Sequence, residues 1–141
     1  MLQHAVIIPL LMMLILTALV WMYMYILRLG YMFRHKIEPQ QLVTPDKKYI
    51  VLPEKINFPA YNLSNLFELP VLFYVLCLLV MFMDIQSIAV ITFSWIFVIF
   101  RVLHSLVHCT YNRVTHRFLA YLIASIALWG MLFTVIVQLV V

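Results

Sequence analysis

With 141 residues, 67% of them hydrophobic and 10% charged, and a mean hydropathy of +1.09, the chain has too little polar surface for a water-soluble domain. A membrane-spanning helix takes about 20 mostly apolar residues, because the hydrocarbon core is ~30 Å thick and a helix rises ~1.5 Å per residue. Four spans would consume roughly 80–100 residues, which excludes a separate soluble domain, and the net charge of +4 is placed for membrane orientation rather than for a nucleic-acid partner.

The first helix is expected over residues 5–30, running on toward Arg34, with Pro9 in its opening turns where a missing amide donor costs least. Its leader, Met1-Leu2-Gln3-His4, lacks the basic cluster of a signal peptide, and the apolar stretch is too long and has no small-residue cleavage site after it. The segment therefore reads as a retained helix. A polar loop follows over 34–57, carrying Arg34, Lys36, Glu38, Asp46, Lys47, Lys48, Glu54 and Lys55, with Pro39, Pro45 and Pro53 interrupting helical continuity. The second helix is expected over 58–83, opened by Asn57-Phe58-Pro59. Pro70 inside it leaves the Leu66 carbonyl without its usual amide and predicts a kink. The short turn Asp84-Ile85-Gln86 makes helices two and three antiparallel neighbours. Helix three covers 87–108, and a second turn through Arg113 leads into helix four over 115–141.

All nine Lys and Arg residues fall in the first loop, the third loop or the helix ends beside them, while the second loop carries only Asp84. The positive-inside rule then places loops one and three in the cytoplasm and both termini on the other side. Helix four offers a stripe of small residues, Ala120, Ala124, Ala127 and Gly130, suited to close helix contact. Cys77 and Cys109 form no Cys-x-x-Cys and read as reduced packing residues. His4 and His35 read as solvent or headgroup residues.

Several polar residues lie where hydrocarbon makes them costly. Asn65 and Glu68 share one face of helix two, and Glu68 is roughly 14 Å of helix beyond Pro59 at ~1.5 Å per residue. An ionised carboxylate at that depth must face the bundle, a polar cavity or a cation. Arg101 on helix three is the natural partner, with His104 and His108 on the same stripe. Tyr111, Asn112, Arg113, His116 and Arg117 crowd the start of helix four, and Arg28 and Arg34 end helix one nearby. A cation-rich pocket with one buried acid is expected at that end of the bundle. The plainer alternative is a structural Glu68–Arg101 ion pair that fixes helix register, with the other arginines snorkelling to the interface. His104 and His108 have no evident third ligand, so no metal site is expected.

The segment Asn65-Leu-Phe-Glu68-Leu-Pro70, with Arg101-Val-Leu-His104 and Asn112-Arg113, resembles the second-helix signature and third-helix pattern of the MAPEG superfamily of membrane-associated proteins in eicosanoid and glutathione metabolism. The proline two residues after Glu68 is similar to the bacterial members, and the third-helix pattern to the microsomal glutathione transferases. The resemblance implies an all-α four-helix membrane bundle assembled as a homotrimer in a bacterial inner membrane, with glutathione as co-substrate bound between subunits. It implies catalytic roles for Arg101 and Arg113, and a binding site drawn from Asn65, Glu68, Arg34, Arg28, Tyr61, His104, Tyr111 and Asn112. Tyr61 stands where glutathione-using members often carry arginine, and His108 where the microsomal transferases carry tyrosine. The implied activity is thiol-dependent transfer to, or peroxide reduction of, a lipophilic small molecule, with membrane lipids as surroundings. The rival is a non-catalytic trimer that binds lipid or serves as an accessory subunit of a larger membrane complex.

Overall fold

A computed structural model describes residues 5–140. Helix α1 spans Ile7–His35. A 3-10 turn at Pro39–Leu42 and the short α2, Pro45–Val51, lead to α3, Glu54–Leu66. Then come α4, Leu69–Phe82, α5, Ile88–Cys109, and α6, Val114–Val140. Taking α3 and α4 as one interrupted span, four segments are long and apolar enough to cross a membrane. The fold is the all-α membrane bundle that composition demanded. The leader with His4 lies outside the described residues.

The three loop prolines do more than interrupt. Pro39 and Pro45 open their elements, and Pro53 caps α3, where a residue without an amide proton loses no bond. The Thr44 hydroxyl accepts from the Lys47 amide at 3.4 Å, completing the start of α2. The second span consequently begins at Glu54 rather than at 58, and Pro59 lies inside α3. Asn57 is not its cap. It is a buried bracket that accepts from Arg28 Nη2 at 3.3 Å and donates to the Leu52 carbonyl at 3.4 Å, tying α1 to α3.

The kink expected at Pro70 is a full break. α3 stops at Leu66, the Phe67 amide turns back to the Ser64 carbonyl at 3.0 Å, and α4 restarts with Pro70 in its first turn. Proline cannot continue the hydrogen-bond ladder from α3 but suits the start of a new helix. Elsewhere three chain reversals use left-handed residues other than glycine: Lys36, Asp84 and Asn112, at φ 52, 54 and 49°. Asparagine and aspartate tolerate this region best, because their short side chains bond locally.

α5 and α6 form the broadest helix pairing, with α1 packed across α3, α4 and α5. The core stacks Phe73 on Phe97 at 4.5 Å between centroids, with Met13, Leu128 and Met131 around them, all buried. Cys77 is in this core. The small stripe of α6 faces inward at Ala120, Ala124 and Ala127, and a Cβ added at Gly130 would meet the Phe93 ring at 2.9 Å. Large apolar side chains such as Leu11, Ile26, Phe82 and Phe133 point outward, as a lipid-facing surface requires.

The two glycines therefore behave oppositely on substitution. Gly130→Val is expected to lower stability by about 2 kcal/mol through overpacking. Gly30, with nothing within 4 Å of its added Cβ, is mid-helix, so Gly30→Ala should raise stability by about 0.5–1 kcal/mol. Thermal unfolding of both variants in detergent checks the pair.

Candidate functional site

Tyr61, Asn65 and Glu68 recur at spacings of four and three residues, which sets them along one face at the end of α3 and the break beyond it. Arg101, His104 and His108 form a matching buried stripe on α5. Between them and the start of α6 lies a cavity of about 630 Å³. Glu54, Tyr61, Asn65 and Glu68 line one wall, His104 and His108 the second, and Asn112, Arg117 and Tyr121 the third.

Arg101 is 0% exposed and is the largest fully buried side chain. Its Nη2 donates to the Asn65 main-chain carbonyl at 2.7 Å, and its guanidinium carbon is 5.6 Å from the centre of the Tyr121 ring. Asn65 is in the last turn of α3, where carbonyls have no following amide and carry the negative end of the helix dipole. Arg101 thus caps the broken helix. It makes no bond to the Glu68 carboxylate, and its Nε and Nη1 have no partner. The expected Glu68–Arg101 ion pair is replaced by this cap, because the break frees a carbonyl closer to the guanidinium than the acid is. Glu68 instead turns outward at the break and is exposed on the single chain.

The arginine that does line the cavity is Arg117. Its Nη1 donates to Asn112 Oδ1 at 2.7 Å and contacts His108 Nε2 at 3.0 Å. Asn112 can offer its oxygen there because the left-handed turn at φ 49° ends α5 and swings its side chain toward α6. The His104 ring meets His108 edge-on at 5.4 Å and the Tyr121 ring at 5.9 Å. The Nδ1 atoms of both histidines are buried without a partner. No third ligand-type side chain groups with them among the described residues.

Of the residues singled out from the sequence, Asn65, Glu68, Tyr61, His104 and Asn112 line the cavity, and Arg101 lies beneath it. The other four lie elsewhere. Arg28 is bonded to Asn57, and Arg34 edges a separate hollow with Tyr31 and His35. Tyr111 is exposed and bonds His116 Nδ1 at 3.0 Å, and Arg113 is exposed in the turn. The pocket expected from the sequence includes His108 and Arg117, and both line the cavity; Tyr121 and Glu54 line it as well, without having been expected there. The available signal for Tyr121 was position: it is four residues beyond Arg117, one turn further along the same face of helix four. The wall chemistry also differs from expectation. Two carboxylates and one arginine line the cavity among the described residues, rather than one acid amid many cations.

A second, largely apolar cleft of about 380 Å³ opens between α1 and α5, with Val20, Tyr23, Leu106 and Cys109 in its walls. The Cys109 sulfur accepts from Asn62 Nδ2 at 3.5 Å, and Asn62 Oδ1 accepts from Ser105 at 3.3 Å.

Compared with known proteins, the model of the MAPEG family matches residues 6–137. No curated protein and no solved structure matches the chain.

If Arg101 holds the break together, Arg101→Gln should cost about 2 kcal/mol, the range for orphaning a buried acceptor. Arg101→Lys, which keeps a charged donor for the single carbonyl served, should recover part of that loss. Thermal unfolding measures both, and a wild-type midpoint for Arg101→Gln would refute the capping role.

Proposed function

The chain belongs to the MAPEG family, and from that premise we propose that it transfers glutathione or a related thiol to lipophilic substrates, or reduces their peroxides, within the membrane. The observation that supports this most is the polar cavity walled by Asn65, Glu68 and Arg117 in an otherwise apolar bundle. Glutathione carries an ammonium, two carboxylates, two amides and a thiol. Glu68 suits the ammonium, Asn65 a peptide group, and Arg117 an anionic group. A guanidinium beside sulfur favours the thiolate, which is the nucleophilic form.

One lining arginine does not balance two carboxylates and a thiolate. Glu68, moreover, is exposed at a depth where a charge cannot face hydrocarbon. Assembly as a homotrimer answers both points: a neighbouring copy covers Glu68 and brings cations such as Arg28, Arg34 or Arg113 to the cleft. In this reading the loop face is cytoplasmic, the membrane is a bacterial inner membrane, and substrates enter sideways from the lipid.

A second reading, a non-catalytic lipid-binding trimer or accessory subunit, draws on the apolar cleft between α1 and α5 and on Tyr61 in place of arginine. Equilibrium dialysis of glutathione against the detergent-solubilised protein separates the two. Saturable binding is expected, weakened about tenfold or more by Glu68→Gln and by Arg117→Gln, as for loss of a charged hydrogen bond. Absence of saturable binding would leave the lipid-binding reading.

A further inference from the structure

Two hollows lie along one face of α1. Leu16, Val20 and Tyr23 form the α1 wall of the 380 Å³ apolar cleft against α5. Farther along the helix, Leu27, Gly30 and Arg34 line a hollow of about 450 Å³, with Ile56 of α3 beside them. These six α1 residues recur every three or four positions, and Leu16 and Arg34 are about five turns apart at ~3.6 residues per turn, which keeps the set on one face. From Leu16 to Ile26 the helix rises ~15 Å, the hydrocarbon depth of one leaflet, half of ~30 Å.

Polarity changes along this face as it does across a leaflet. The cleft is largely apolar, whereas Tyr31, Arg34 and His35 frame the far hollow. The His35 ring stacks on Tyr31 at 4.0 Å between centroids, and its Nδ1 donates to the Tyr31 carbonyl at 3.0 Å, which fixes that rim. Arg34 is exposed and has no hydrogen-bond partner among the described residues. No carboxylate among them lines the hollow. Gly30 keeps it open, since nothing lies within 4 Å of an added Cβ. Arg34 is ~12 Å of helix beyond Ile26, and helical side chains lean back toward the N-terminus, so its guanidinium falls in the headgroup layer.

We propose that this face binds one anionic phospholipid from the leaflet on the loop side, with an acyl chain in the cleft between α1 and α5 and its phosphate against Arg34. Depth fixes the chain, and charge fixes the headgroup. An arginine with no acid beside it pairs with a phosphate, while the ammonium of a zwitterionic headgroup finds no counter-charge here. In a free fatty acid the charge follows the chain directly, at the level of Ile26. A glycerol spacer instead carries the phosphate outward to Arg34. The site is separate from the polar cavity and does not depend on the thiol reading, which it leaves with Arg28 and Arg113 as the cations of a neighbouring copy.

Native mass spectrometry of the full chain released from detergent, with dioleoyl phosphatidylglycerol or dioleoyl phosphatidylcholine added, counts the lipid retained. One phosphatidylglycerol per chain is expected, held about tenfold more tightly than phosphatidylcholine, the worth of a charged hydrogen bond. Arg34→Gln should erase that preference. Gly30→Leu, whose added Cβ meets no protein atom, should weaken retention of both lipids while unfolding no earlier than the wild type. Phosphatidylglycerol carrying a diazirine on its acyl chain should cross-link to residues 16–23 and 102–110. Equal retention of the two lipids, or a preference that survives Arg34→Gln, overturns the proposal. Oleate competing as well as phosphatidylglycerol would also overturn it and give the face to free fatty acid. Cross-links confined to other residues would do the same, as when a second copy of the chain covers the cleft. Glutathione enters none of these readouts, so the thiol reading stands or falls separately.

Discussion

The hydrogen bond from Arg101 to the Asn65 carbonyl is the constraint on which the rest of the site depends. A helix broken inside a membrane exposes carbonyls that water cannot reach, and each one left bare costs several kcal/mol. Pro70 imposes the break by withholding an amide, and Arg101 makes it tolerable by supplying a donor from the neighbouring helix. A cation is well matched to this end of a helix, where the dipole is negative. With that bond in place, α3 and α5 are held at one depth, and Asn65, Glu68, His104 and His108 border the same cavity.

A second polar linkage closes the opposite wall. Asn112 ends α5 in a left-handed turn, Arg117 reaches back from the first turn of α6, and His108 receives its hydrogen bond. Both linkages follow one logic: a helix terminus or tight turn presents a carbonyl or amide oxygen, and an arginine from the next segment satisfies it. What distinguishes them is access. Arg101 is sealed beneath the cavity floor, whereas Arg117 forms part of the wall. The small stripe of α6 permits this arrangement, since Ala120 and Ala124 let α5 and α6 approach closely just beyond the polar end.

Membership of the MAPEG family accounts for the architecture, but the wall chemistry belongs to this chain. Glu54 and Tyr61 extend the α3 face toward the loop, and paired imidazoles face it from α5. The polar set is compact, while along the membrane spans most other outward positions are apolar. The protein therefore concentrates its chemistry at one end of the bundle and leaves the remainder to lipid and packing.

The sequence by itself determined the four spans, the break-prone second helix and the side of the bundle that carries charge. These follow from hydropathy, proline chemistry and the cost of ions in hydrocarbon, all of which act locally along the chain. Asn65, Glu68 and His104 were legible as site residues for the same reason: depth alone makes them expensive. α2 was not legible, because a seven-residue helix in a polar loop has too little periodicity to detect. Only the tertiary structure decided that Arg101 caps a carbonyl rather than pairing with Glu68, since spacing shows that two groups are near but not which acceptor the fold exposes. It likewise set Arg117 in the cavity wall and Arg113 in the exposed turn of the single chain, because the left-handed residue Asn112 brings its side-chain oxygen to Arg117. Pattern located the costly residues, and helix geometry chose their partners.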